Sequence, residues 1–255
     1  MPSSLSLAPL QETAAVWRAD ALARPIATVL ATGHPALDSE LPGGGWPVGA
    51  MVEILQAQSG QSEWRLLLPA LARARPGPVL LVGAPHMPFG PGLAAHGLSP
   101  ERLLWVTASP PAARMWACEQ ALRCTDVAAV LAWLPQARAE QLRRLQMAAS
   151  EYAKLLFVMR PAQVQTESSP AVLRVLLALQ GNGDDLRLEL LKRRGPPCLQ
   201  PLLLPARIGC LAALLARSRT GRKAGSARPV ADRAEHAARP FVEPPDALDR
   251  VASLA

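Results

Sequence analysis

Val52-Glu53-Ile54-Leu55-Gln56-Ala57-Gln58-Ser59-Gly60-Gln61-Ser62-Glu63 is the stretch whose reading decides the fold: an apolar run, a polar loop, and the start of a helix. A phosphate-binding loop of the form G-x-x-x-x-G-K followed by Ser or Thr lives in this context. Its glycines let backbone N–H groups wrap the phosphates, its lysine supplies positive charge, and its hydroxyl holds magnesium. Here the context is kept and the chemistry is not. With Gly60-Gln61-Ser62 in the last three positions, Leu55 stands in the first glycine's place and neutral Gln61 in the lysine's. Glu63 just beyond adds a repulsive charge, and the first basic residue, Arg65, is already inside the helix. Ser59, Gly60, Gln61 and Ser62 therefore form a degenerate nucleotide loop, with weak or no nucleotide binding expected. The competing reading is a tight turn with Ser62 near an N-cap.

Outward from this loop, apolar runs alternate with amphipathic segments. Residues 62–74 repeat Leu66, Leu67, Ala70 and Leu71 on one helical face. Residues 78–84 and 103–106 read as strands, 111–123 as a helix, and 127–133 as a strand covered on both faces. Residues 136–153 form a polar-rich helix and 155–159 the next buried strand. Strand alternating with helix predicts an α/β fold, a mostly parallel sheet flanked by helices. Residues 172–179 and 186–191 flank Gly181-Asn182-Gly183-Asp184, which predicts an antiparallel hairpin near the C-terminal end of the core. The expected organisation is an N-terminal helix over residues 1–24, a core over 25–208 and a basic, flexible tail over 209–255.

Three further runs carry a resemblance. Thr32-Gly33-His34-Pro35-Ala36-Leu37-Asp38, then Gly43-Gly44-Gly45-Trp46-Pro47-Val48-Gly49, then Val52-Glu53-Ile54 look like the opening of a RecA-type ATPase core. That family ends the equivalent of strand 127–133 with a magnesium-binding aspartate and follows its second strand with a glutamate that activates water. Here Ala132-Trp133-Leu134-Pro135 brings no acid, and Gly83-Ala84-Pro85-His86 offers proline. With three ATPase functions missing together, the resemblance implies a RecA-like fold without hydrolysis, no catalytic residue and no cofactor.

Within RecA-like proteins the chain resembles the ImuA family of translesion-synthesis accessory proteins. The resemblance rests on residues 32–54, on Glu63-Trp64-Arg65-Leu66-Leu67-Leu68-Pro69-Ala70-Leu71 and on Leu191-Lys192-Arg193-Arg194-Gly195. It implies a non-catalytic adaptor of damage-induced (SOS) translesion DNA synthesis. Its implied partners are ImuB, an inactive Y-family polymerase homologue, and an error-prone polymerase of the α-subunit type, with RecA and DNA as further candidates. The alternatives are a cell-division inhibitor like SulA, or a residual nucleotide-dependent RecA-like DNA-binding protein.

A formal charge of +7 favours an anionic partner. Lys192, Arg193 and Arg194 are candidate nucleic-acid or partner contacts, as are Arg217, Arg219, Arg222 and Lys223 in the tail. The plainer reading is a solvated strand end and a solubilising tail. Trp17 is a candidate interface or a simple packing residue, and Trp64, Trp116 and Trp133 are expected in or near the core. Glu53 is expected to form a structural pair, and Glu119, Glu140 and Glu151 to be solvated. Four cysteines without zinc spacing are expected to be reduced and mostly buried, so no metal site is expected. No apolar run reaches the roughly eighteen residues of a membrane span. A cytoplasmic protein without a membrane partner follows.

Overall fold

The computed structural model describes residues 28–60, 62–181 and 185–205. Trp17, Gln61, Arg217, Arg219, Arg222 and Lys223 lie outside the described residues, as do Cys210, the expected N-terminal helix over 1–24 and the whole expected tail over 209–255. A two-stranded ribbon pairs β1 (Val29–Leu30) with β2 (Trp46–Pro47). The main strands are β3 (Ala50–Gln56), β4 (Val79–Val82), β5 (Leu103–Val106), β6 (Ala129–Trp133), β7 (Leu155–Pro161), β8 (Leu173–Gln180), β9 (Asp185–Lys192) and β10 (Leu202–Pro205). They form one eight-stranded sheet in the order β10-β9-β8-β3-β7-β6-β4-β5. β8, β3, β7, β6, β4 and β5 run parallel, and β9 and β10 add antiparallel strands. The α/β reading and the appended hairpin both hold.

Helices are α1 (Pro35–Asp38), α2 (Glu63–Arg73), α3 (Gly90–Ala95), α4 (Pro111–Arg123) and α5 (Ala139–Glu151). One apolar layer joins Leu37, Leu66, Leu67, Leu71 and Leu93 of α1–α3 to Val52, Ile54 and Phe157 of the sheet. On the other face Met115, Leu122, Leu142 and Leu145 of α4 and α5 meet Met51, Val130 and Val158. β3 is buried at all seven positions because helices cover both of its faces. The glycine run upstream serves this packing: a Cβ on Gly45 would stand 2.4 Å from the Leu30 carbonyl oxygen. Its neighbour Trp46 is fully buried, edge-on to Phe157 at 5.5 Å between ring centroids. Such a pair contributes about 0.5–1.5 kcal/mol beyond burial itself.

Glu53 forms the expected structural pair, and more. Fully buried in β3, it accepts from Arg160 of β7 at 2.8 Å and from Arg174 of β8 at 2.5 Å. Arg160 also meets Glu167 at 3.1 Å, and Arg174 donates to the Val164, Gln165 and Glu167 carbonyls. One carboxylate thus ties three strands to the 3-10 turn Ala162–Thr166.

Three expectations need correction. Trp116 is 65% exposed, because it falls on the outward stripe of α4 with Ala112 and Gln120. Glu119 is buried rather than solvated, since it faces α5 and pairs with Arg144 at 2.8 Å. Among the described cysteines Cys118 alone is buried, with burial pushing its thiol up to about 12; Cys124 is exposed and Cys198 half-buried.

Candidate functional site

In open α/β sheets, ligands bind beyond the carboxyl ends of the strands, where successive crossovers leave on opposite faces. The segment after β3 occupies that place. β3 lies between β7 and β8; the chain crosses to β4 through α2 on one face, while α4 and α5 pack on the other.

The side chain that controls the loop is Glu63, the first residue of α2 and fully buried. Its Oε1 accepts the backbone N–H of Gly60 at 2.6 Å and the indole N–H of Trp133 at 2.9 Å. Its Oε2 accepts the backbone N–H of Ser62 at 3.1 Å. Three N–H donors converge on one carboxylate at a helix N-terminus, where unpaired N–H groups and the helix dipole favour negative charge. A phosphate held by such a loop would call on the same backbone donors, so the chain fills the anion position from within. The Glu63 carboxylate is the loop's own ligand, a role that the sequence reading of it as a repulsive charge did not include.

The surroundings close the arrangement. Ser62 stands at the N-cap position but makes no side-chain cap bond, and its backbone N–H is held by the Glu63 carboxylate. Gly60 has φ +91°, and a Cβ there would meet the His86 ring at 2.7 Å. His86, at the end of the Gly83-Ala84-Pro85-His86 stretch, thus packs on the loop backbone. Trp133, at the end of β6, is buried and packs against Trp64 of α2 at 6.5 Å between ring centroids. Ser59 is half-buried, and Gln56 at the loop's root is buried with neither amide atom paired among the described residues.

The Thr32–Asp38 motif braces α2 from below. Thr32 N–H donates to Asp38 Oδ1 at 2.8 Å, and His34 Nε2 lies 3.3 Å from the Leu66 carbonyl. Pro69 inside α2 cannot donate to the turn before it, and the imidazole packs against that turn. Burial lowers the His34 pKa.

The three basic candidates lie elsewhere. Lys192 is register partner of Arg174 near the start of β8, so the cluster sits at the sheet's opposite end from the loop. Lys192 Nζ donates to the Ser169 carbonyl at 2.9 Å. Arg193 pairs with Glu40 at 3.0 Å and donates to the Pro196 carbonyl at 2.8 Å. Arg194 is exposed. Among the described residues no group of three or more His, Cys, Asp or Glu could hold a metal ion, and no helix is long and apolar enough to cross a membrane.

Fold and site together define a class: an α/β protein whose strand–loop–helix after β3 is closed by the helix's own first carboxylate. Among curated proteins the chain is similar to Protein ImuA of Caulobacter vibrioides, in strains NA1000 / CB15N and ATCC 19089 / CIP 103742 / CB 15. Each is 34% identical over 130 residues, covering 47% of this chain and 52% of the relative. The chain thus spans about half the length of the curated relatives it matches. No family model matches it.

Proposed function

We propose that the protein is a non-catalytic accessory protein of damage-induced (SOS) translesion DNA synthesis. It acts as a cytoplasmic adaptor, binding an ImuB-like inactive Y-family polymerase homologue and serving an error-prone polymerase of the α-subunit type. RecA and DNA are further candidate partners. The similarity to ImuA and the order of the RecA-like motifs support this role. The observation that carries its non-catalytic character is the Glu63 carboxylate, buried and bonded to the donors that a phosphate would need.

The test is co-purification with the ImuB-like protein of the same organism, with and without ATP, alongside an ATPase assay. A complex formed equally in both conditions, with no hydrolysis above background, is expected. A strict ATP requirement for complex formation would refute the reading.

A further inference from the structure

At the end of the sheet away from the Glu63 loop, the structure holds a small, open recess of about 60 Å³. Val29, Leu41, Pro47 and Val172 help make its apolar wall, and Arg193 and Arg194 complete the lining. These elements converge for sequence reasons. The β1–β2 ribbon hangs before β3, Val172 donates its N–H to the Met51 carbonyl, and the end of β9 returns beside the start of β8.

The two guanidinium groups are not equivalent. Arg193 is mostly buried and engaged with the Glu40 carboxylate, the Glu40 carbonyl and the Pro196 carbonyl. It builds the wall. Arg194 is exposed and makes no hydrogen bond or ion pair among the described residues. An apolar recess beside an unengaged guanidinium offers two kinds of complementarity at once: a place for an apolar side chain, and a forked donor for a carboxylate. The volume lies well below that of small-molecule sites, so the recess suits the end of one apolar side chain rather than a whole ligand. A nucleic-acid backbone would satisfy Arg194 but leave the apolar wall open to water, so the charge and the wall together favour protein.

We infer that this recess docks a partner segment in which an apolar residue lies beside an aspartate or glutamate, with the carboxylate on Arg194. β3 alone separates the recess from the Glu63 loop by about 20 Å, at roughly 3.3 Å per strand residue. Docking here is therefore independent of any nucleotide chemistry, and also of whether the partner is polymerase-related.

The experiment uses the full chain and a phage-displayed library of random peptides about twelve residues long, selected on the wild type and in parallel on Arg194→Glu. The substituted position is on the surface, and circular dichroism checks that the variant is folded. The expected result is enrichment, on the wild type alone, of peptides pairing Leu or Phe with an adjacent acid. In fluorescence anisotropy a recovered peptide should bind Arg194→Glu at least about ten-fold more weakly, the scale of one charged hydrogen-bonded contact. It should weaken similarly when its apolar residue becomes serine. No such enrichment, equal binding to both proteins, or displacement of the peptide by duplex DNA as readily as by unlabelled peptide would each overturn the inference.

Discussion

At the scale of single residues, Glu63 decides what the loop can do. Removing its side chain leaves the N–H groups of Gly60, Ser62 and Trp133 without their acceptor. Each buried donor left unsatisfied costs about 1–3 kcal/mol, so with the Ser62 and Trp133 N–H groups buried, Glu63→Ala should lower the unfolding free energy in urea by about 2–6 kcal/mol. Millimolar pyrophosphate should then raise the melting temperature of that variant and leave the wild type unmoved. No response in a folded Glu63→Ala protein would mean the donors do not form an anion cradle. His34 gives a second test. Burial holds its pKa below the ordinary 6.5, so near and below that pH the unfolded chain binds a proton that the folded chain refuses. The contribution is complete above about pH 6.5 and is lost as pH falls toward the folded value. The melting temperature of the wild type should therefore drop more steeply between about pH 7.5 and 5.5 than that of His34→Gln. Little of this was legible in the chain. Sequence showed a missing lysine and two missing acids, but a glutamate beside a degenerate loop reads as repulsion until three donors are seen to face it. Trp116 and Glu119 were misread likewise, because burial on α4 depends on where α5 lies.

At the scale of elements, the sequence carried further. β5 and α4 begin and end where the pattern placed them, and the other main strands and helices lie within a few residues of it. Each has either a run of apolar residues or a repeat on one helical face. What went unseen was short. The two-residue strands β1 and β2, the six-residue α3 and the four-residue β10 are too brief to show a period, and partners far along the chain hold them in place. Glu53 shows how such distant partners act together. Its carboxylate links β3 to β7 and β8, so its loss leaves two buried guanidinium groups facing each other. Breaking a buried pair by removing one member costs about 3–5 kcal/mol. Glu53→Gln should lose about that much in urea denaturation and expose the segment after β7 to faster amide exchange. A loss below about 1 kcal/mol would show that the arginines find other acceptors, and that the strands do not need this tie.

At the scale of the whole molecule, the sheet order separates two places where something could bind. The crossovers put the Glu63 loop at the carboxyl ends of the parallel strands, while the β8–β9 hairpin brings Arg193 and Arg194 back to their amino ends. The two places then share no residues, so a ligand at one need not disturb the other. The consequence is measurable without knowing the partner. A ligand present at a hundred times its dissociation constant stabilises the folded state by about 2.7 kcal/mol. For a chain of this size that amounts to a rise in melting temperature of roughly 5–10 °C. Millimolar ATP with magnesium should instead leave the melting temperature of the wild type within about 1 °C, because binding would first have to displace a carboxylate holding three N–H bonds. A rise of several degrees would mean that Glu63 yields its place to phosphate, making the loop a gated nucleotide site and ending its reading as a permanently filled one.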